Sequence, residues 1–142
     1  MKVYFDGELA HDGYTSGTGW KDESDIAIPS GTQVIGIECK DNGGQYGILA
    51  STVTDSASTD GIFTNSQWKC ATEDIAGWSA PGFKDKKDPN QDFKAASKHA
   101  GINGNKHPFQ KQNLDKNIDS KAEWIWAADA GEDDTVFCKI RI

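Results

Sequence analysis

The residues that could do chemistry in this chain are aromatic and acidic side chains in polar loops. Tyr14 lies in a glycine-rich stretch next to His11 and Asp12, and Trp20 follows shortly after it. An aromatic ring can stack on the apolar face of a sugar, and tryptophan also offers an N–H donor. The predicted carbohydrate-binding residues are therefore Tyr14, Trp20, His11 and Asp12, with core packing as the alternative role for Trp20.

Carboxylates form the second candidate site. Asp55 and Asp60 lie in one polar loop, and Glu132, Asp133 and Asp134 form a run near the C-terminal end. Oxygen ligands of this kind suit Ca²⁺, although no EF-hand spacing is present. These five residues are the predicted metal ligands, and the alternative is an acidic face that is simply solvated.

Catalytic motifs are missing from the sequence. There is no Gly-x-Ser-x-Gly elbow, no His-Glu-x-x-His motif and no phosphate-binding glycine loop, and the 3 histidines stand far apart. We therefore predict a protein that binds rather than catalyses.

Size and charge narrow the class of protein. At 142 residues, the chain has the length of one domain, predicted over residues 1–142. Its net charge of -7 argues against nucleic acid as the main partner, because that partner needs clustered Lys and Arg. No apolar run reaches the length of a membrane span. The first six residues look like a strand and not like a signal segment, so either the protein is cytosolic or a signal was removed.

The 3 cysteines favour an oxidising compartment. Their positions match no zinc site and no Cys-x-x-Cys motif. Cys70 and Cys138 each lie beside a lysine at a strand edge, and we predict a disulfide between them, worth about 4 kcal/mol. Cys39 shares an apolar strand face with Ile35 and Ile37, which predicts a buried free thiol. The alternative is three reduced thiols in a cytosolic protein.

The elements that must position these residues are β-strands. Residues 122–142 carry two short apolar runs around an acidic turn and predict a terminal strand pair, with Trp124 and Trp126 in the core. In the second run Val136, Cys138 and Ile140 alternate with polar or aromatic residues, which is typical of a half-buried strand. Strands are also predicted over 2–9, with a turn at Asp6-Gly7, and over 32–40. Residues 71–121 are predicted to be mostly irregular, with one short helix over 92–99.

Three segments together resemble a known family. They are Gly77-Trp78-Ser-Ala-Pro-Gly-Phe83-Lys-Asp85, Ala122-Glu-Trp124-Ile125-Trp126 and the strand Thr135-Val136-Phe137-Cys138-Lys139. This layout is similar to galactose-binding-domain-like jelly rolls, including noncatalytic sugar-binding domains of glycoside hydrolases and lectin-like secreted domains of invertebrates. The sequence departs from the family's Phe-Asp-Asp-x-x-Trp pattern, since Lys84-Asp85-Lys86-Lys87-Asp88 stands there. The resemblance implies a jelly-roll sandwich, and in this group a structural calcium is common.

Taken together, these features predict an all-β jelly-roll sandwich with a long irregular crossover and at most one short helix. The predicted function is a noncatalytic, lectin-like carbohydrate-binding module of an extracellular protein, with glycans as partners. The alternative is a structural or adhesion module that contacts protein or mineral through its acidic surface. An accessory domain of a glycoside hydrolase is a third reading, and self-association into a homo-oligomer stays open.

Overall fold

The described part of the chain is built from β-strands alone. The computed structural model describes residues 1–13, 24–41, 46–52, 61–85, 93–98, 118–119, 121–130 and 134–142, and all structural statements concern these residues. They contain eight strands and no helix. The strands are β1 Lys2–Phe5, β2 Glu8–Asp12, β3 Val34–Lys40, β4 Lys69–Ala71, β5 Lys94–Ala95, β6 Ser97–Lys98, β7 Ile125–Trp126 and β8 Thr135–Arg141. Within the same residues no helix could span a membrane.

The strands form two antiparallel sheets. Six strands make one sheet in the order β2-β1-β3-β8-β4-β5, and β6 pairs with β7 in the second. The central pair is β3 with β8, which runs in unbroken register from Val34 opposite Arg141 to Lys40 opposite Thr135. The predicted all-β class is therefore confirmed, and two sheets around a shared core are consistent with a sandwich.

The main core lies on one face of the six-stranded sheet. The alternating residues of its central strands point there, and β7 with Ile48 and Trp68 covers them. Ile125 and Val136 are fully buried at 0% exposure, at the centre of this layer. The buried members include Val3, Phe5, Ile35, Ile37, Cys70, Trp126 and Cys138. The alternation predicted for β8 is confirmed, because Val136 and Cys138 both lie in this core.

The opposite face of the same sheet is covered as well. Successive turns between Ile75 and Phe83 lay Trp78 across it, with Trp78 N–H donating to the Ile75 carbonyl at 2.9 Å. The Trp78 ring meets Phe137 of β8 edge-on at 5.6 Å between centroids and stacks on Phe93 at 6.0 Å. The expectation of a half-buried last strand is therefore wrong for β8, where Phe137, Cys138 and Lys139 are all buried. A sheet covered on both faces buries alternate residues of both sets.

The short helix predicted over residues 92–99 is not formed by its described residues, 93–98. They instead form β5, which pairs with β4, and β6, which pairs with β7 in the other sheet. Between them Ala96 donates its N–H to the Trp68 carbonyl at 2.7 Å. Phe93 and Ala96 are both buried because the chain passes from one sheet to the other between them, so their spacing of three does not come from a helical turn.

The two apolar runs at the C-terminal end do not pair with each other. Strand β7 bonds to β6, while β8 lies between β3 and β4. The predicted terminal strand pair is thus replaced by two strands in different sheets. Trp124 and Trp126 are buried, as predicted.

The turn predicted at Asp6-Gly7 is confirmed and joins β1 to β2. Both residues have positive φ, 51° for Asp6 and 92° for Gly7, as a two-residue hairpin loop with the twist of its strands requires. The Asp6 carboxylate accepts N–H bonds from Gln33 at 2.9 Å and from Val34 at 2.8 Å. This hairpin therefore fixes the start of β3 and sets the direction in which β2 leaves the sheet.

Candidate functional site

Of the predicted sugar-binding residues, the structure describes His11 and Asp12. Both lie at the end of β2, the edge strand, where His11 is opposite Val3 and Asp12 is opposite Lys2. His11 is half-buried, and its Nε2 is buried with no hydrogen-bond partner. Asp12 is exposed. The strand end therefore exposes the carboxylate of Asp12 to solvent. Beside it, the buried Nε2 of His11 has no hydrogen-bond partner.

Tyr14 and Trp20 lie outside the described residues. The four tryptophans that are described are all buried, with exposures of 8% or less: Trp68, Trp78, Trp124 and Trp126. Buried indoles pack the two cores and cannot present a flat ring to a sugar in water. Trp68, at 2% exposure, belongs to the main core even though Lys69 follows it in the sequence.

A small polar network lies beside the site end of β1 and β2. Glu38 of β3 accepts a hydrogen bond from Tyr4 Oη at 2.6 Å and one from Lys2 Nζ at 2.8 Å. Burial by itself raises the pKa of Glu38, but these two donors outweigh it and lower that pKa below the ordinary 4.5. Burial, together with the hydrogen bond to Glu38, raises the pKa of Tyr4. Lys2 is thus held by Glu38 while it lies opposite Asp12.

Of the predicted metal ligands, only Asp134 is described. Asp55, Asp60, Glu132 and Asp133 lie outside the described residues. The Asp134 carbonyl accepts the N–H of Asp41 at 3.0 Å, and Asp41 is buried at 6% exposure. The sequence did not single out Asp41, since its place beside Asp134 follows only from the pairing of β3 with β8. In the described ranges no group of three or more His, Cys, Asp or Glu is arranged to hold a metal ion.

The predicted disulfide is confirmed. Cys70 of β4 and Cys138 of β8 lie directly opposite each other with their Cα atoms 4.1 Å apart, and the bond joins them across the sheet. Cys39 is the free cysteine of the described chain and is partly buried against the main core. It lies diagonal to Cys138 on the neighbouring strand, about 7–8 Å away for such pairs. That separation is too long for a bridge without backbone movement, which leaves Cys39 as a thiol.

A buried lysine site is the feature that sequence reasoning missed. Lys139 of β8 is 3% exposed and lies over the rings of Phe83 and Phe93, at 4.0 and 4.4 Å from their centroids. Its Nζ donates to the Trp78 carbonyl at 2.9 Å and lies 2.8 Å from Asp85 Oδ1. Lys69, which is directly opposite Lys139 in the sheet, holds the other carboxylate oxygen of Asp85 at 2.5 Å.

The electrostatics of this site follow from its burial. Burial lowers the pKa of Lys139, and the nearby Asp85 offsets only part of that effect. Burial alone raises the pKa of Asp85, but Lys139 and Lys69 outweigh it and hold that pKa below its usual value. The one sequence signal was position, because Lys139 stands in the middle of an apolar strand next to Phe137 and Cys138.

The aromatic loop over this lysine is held by hydrogen bonds from Arg141 and by close packing on β3. Arg141 donates to the carbonyls of Pro81 and Phe83 at 2.7 and 2.6 Å. Gly36 of β3 lies beneath Trp78, where a Cβ would come within 2.7 Å of the ring. The segment from Trp78 to Asp85, which belongs to one of the three segments of the family resemblance, therefore covers the second face of the sheet.

Comparison of the chain with protein-family models, with curated proteins and with solved structures finds no match, so the galactose-binding-like resemblance stays a prediction.

Proposed function

We propose that this protein is a noncatalytic carbohydrate-binding module of an extracellular protein. The observation that carries the proposal is the end of β2. There an exposed Asp12 and a His11 with an unpartnered Nε2 come directly before the segment that holds Tyr14 and Trp20. The confirmed disulfide supports the extracellular part of the proposal, because such bonds persist in oxidising compartments.

The chemistry at this strand end suits a sugar. The exposed carboxylate of Asp12 can accept hydrogen bonds from two neighbouring hydroxyl groups, while the buried Nε2 of His11 lies against Gly13 beside it. Tyr14 and Trp20 are the remaining aromatic side chains in the same stretch, and stacking of one ring on the sugar supplies the apolar contact. The described tryptophans are all buried in the cores, which supports Tyr14 or Trp20 as the source of the ring that stacks on the sugar.

The jelly-roll topology and a structural Ca²⁺ belong to the same proposal. Asp134 with the buried Asp41 beside it supports a site at the end of β3 and β8, and the predicted ligands Glu132 and Asp133 directly precede Asp134. Ca²⁺ takes six to eight oxygen ligands, so these carboxylates would be completed by carbonyl groups and water.

A glycan array with purified protein, run with calcium and again with a chelator, tests the proposal. We expect binding to one class of sugar, and we expect Tyr14→Ala, Trp20→Ala and Asp12→Ala each to weaken it at least tenfold, which is about 1.4 kcal/mol. Glu8→Ala, at the exposed other end of β2, is the matched control and should bind like the parent. Circular dichroism of each variant separates loss of binding from loss of folding.

The outcomes divide the hypotheses cleanly. Binding that disappears with chelator supports a calcium-dependent lectin, and binding in both conditions supports a lectin without the metal. Absence of binding to every glycan would refute the carbohydrate proposal. Sedimentation on the same sample decides whether the chain forms a homo-oligomer, which the sequence leaves open.

A second candidate is an adhesion module that contacts protein or mineral through acidic surface. The net charge of -7 favours it, since 22 acidic residues exceed 15 basic ones. Retention on hydroxyapatite or on a basic partner that falls as salt rises would support this candidate, and it would do so without any glycan binding.

A further inference from the structure

We propose that Lys139 and Asp85 condense to form an amide bond between their side chains in the folded protein. The amine nitrogen lies 2.8 Å from Oδ1 of Asp85, one covalent bond away from the carbon that it would attack. Reacting groups held in contact by a fold behave as an intramolecular pair, which removes most of the entropy cost of the reaction.

Although Asp85 is 19% exposed, the amine of Lys139 is shielded from water. Its side chain is 3% exposed, and the rings of Phe83 and Phe93 lie against its ammonium group. The Trp78 carbonyl accepts one N–H at 2.9 Å and so orients the nitrogen. Condensation releases a water molecule, and a site that admits little water opposes the reverse reaction.

The charges at the site favour Lys139 as the nucleophile. Two ammonium groups, of Lys139 and Lys69, share the single carboxylate of Asp85, so one positive charge is in excess. Lys69 is 47% exposed, whereas Lys139 is buried, and burial lowers the pKa of Lys139. The amine of Lys139 is therefore the one that reaches its neutral, nucleophilic form.

Lys69 supplies the second requirement, which is stabilisation of the oxygen that becomes negatively charged during the attack. Lys69 Nζ donates to Oδ2 of Asp85 at 2.5 Å, whereas Lys139 contacts the other oxygen, Oδ1. A cation bonded to Oδ2 stabilises the negative charge that develops on it during attack. Lys69 thus holds Oδ2 in place and stabilises the charge that develops on it.

The atoms and charges balance without any further reactant. The N–C bond forms between Lys139 Nζ and Asp85 Cγ, and the bond from Cγ to Oδ1 breaks. Oδ1, which Lys139 contacts, takes two protons from the Lys139 ammonium and leaves as water, while Oδ2 stays bonded to Lys69 and becomes the amide oxygen. The ammonium and the carboxylate become a neutral amide and one water molecule.

Other ion pairs of the described chain lack this environment and serve as internal controls. Lys94 pairs with Asp129, and both side chains are more than half exposed, at 57% and 65%. Lys98 pairs with Glu123 at 2.6 Å but is 55% exposed. Neither pair is shielded from water, and we expect neither to be linked.

The test is an intact mass measurement of the folded full chain after reduction and denaturation. We expect a mass lower than the sequence mass by one water molecule, and a protease digest in which one peptide joins the segments around Asp85 and Lys139. Asp85→Ala and Lys139→Met should each restore the full mass, and Lys69→Ala should slow the loss of water at least tenfold. Lys94→Ala is the matched control and should not change the outcome.

The mass of the parent protein decides the proposal by itself, even if a variant fails to fold. A reduced, fully aged and folded sample that keeps the complete sequence mass would overturn it. A mass loss that persists in Lys139→Met would overturn it as well, because the water would then come from another pair.

Discussion

Replacement of Gly36 by alanine tests whether Trp78 and its loop are packed rigidly on the second face of the sheet. A Cβ at this position would meet Ser79 Cβ and Trp78 Cη2, both at 2.7 Å, and such a distance requires a neighbour to move. Trp78 is 5% exposed and Ser79 is 3% exposed, so neither can turn into solvent. Ring contacts on three sides, with Tyr4, Phe93 and Phe137, also hold the indole in place.

The magnitude comes from two opposing effects. Overpacking a close-packed core costs about 1–3 kcal/mol, while Gly→Ala stabilises by about 0.4–1 kcal/mol because it restricts the unfolded chain. We expect Gly36→Ala to lower the free energy of unfolding by about 1–2 kcal/mol, and the Tm by about 3–6 °C for a chain of this size.

Urea unfolding followed by tryptophan fluorescence is the assay, and Gly82→Ala is the matched control. Gly82 lies in the same loop and has open space around the position of a Cβ, so its substitution should leave stability unchanged within about 0.5 kcal/mol or raise it slightly. Equal stability of Gly36→Ala and Gly82→Ala would refute the account of a rigid aromatic cover over β3.

Three further perturbations follow from the same structure. Replacing Cys70 and Cys138 together by alanine should cost about 4 kcal/mol in chemical unfolding, because 68 residues of separation are then free in the unfolded chain. A loss well below 2 kcal/mol would contradict the entropic estimate. Asp6→Ala should cost about 1–3 kcal/mol in the same assay, since it removes the acceptor of two N–H groups at the start of β3 and places alanine at positive φ. Asp6→Asn, which keeps an acceptor and tolerates that φ, should cost less, and an equal loss in both would show that the bonds contribute little. The lowered pKa of Glu38 means that its contribution to stability is present above its unfolded pKa, near the ordinary 4.5, and is lost as pH falls through the folded value. Glu38→Gln should therefore flatten the fall in stability on the acid side of about pH 5, and an unchanged acid limb in pH-dependent unfolding would count against the network.

Local sequence patterns predicted the parts of this fold that depend on neighbouring residues. The alternation of Val136, Cys138 and Ile140 identified the core face of β8, because side chains of a strand point to opposite faces in turn. The dipeptide Asp6-Gly7 identified a hairpin turn, because only a few residue types tolerate positive φ. The partners of the disulfide also followed from the sequence, although the direct opposition of Cys70 and Cys138 did not.

The spacing of Phe93 and Ala96 shows where such patterns fail. A spacing of three is shared by a helix and by a chain that crosses between two sheets, so the pattern alone could not separate them. The tertiary structure favours the crossing, because the backbone of β4 hydrogen-bonds to β5 and the backbone of β7 hydrogen-bonds to β6.

For the candidate sites the division is similar. The sequence alone singled out His11 and Asp12 by their residue types. Their place at the end of an edge strand follows from the hairpin and its pairing, which only the structure shows. The burial of Lys139 could not be predicted, because it depends on Asp85 and Phe83 arriving from 54 and 56 residues earlier in the chain. Alternation shows that Lys139 points away from the main core, but whether that side meets water depends on what covers it. The sequence by itself therefore determined the strands β1, β3 and β8, the hairpin turn and the identity of the bridged cysteines, because these features rest on local backbone geometry and residue chemistry. Only the tertiary structure decided which faces of the sheet are buried and which charged side chains form ion pairs, because contacts between distant segments determine both features.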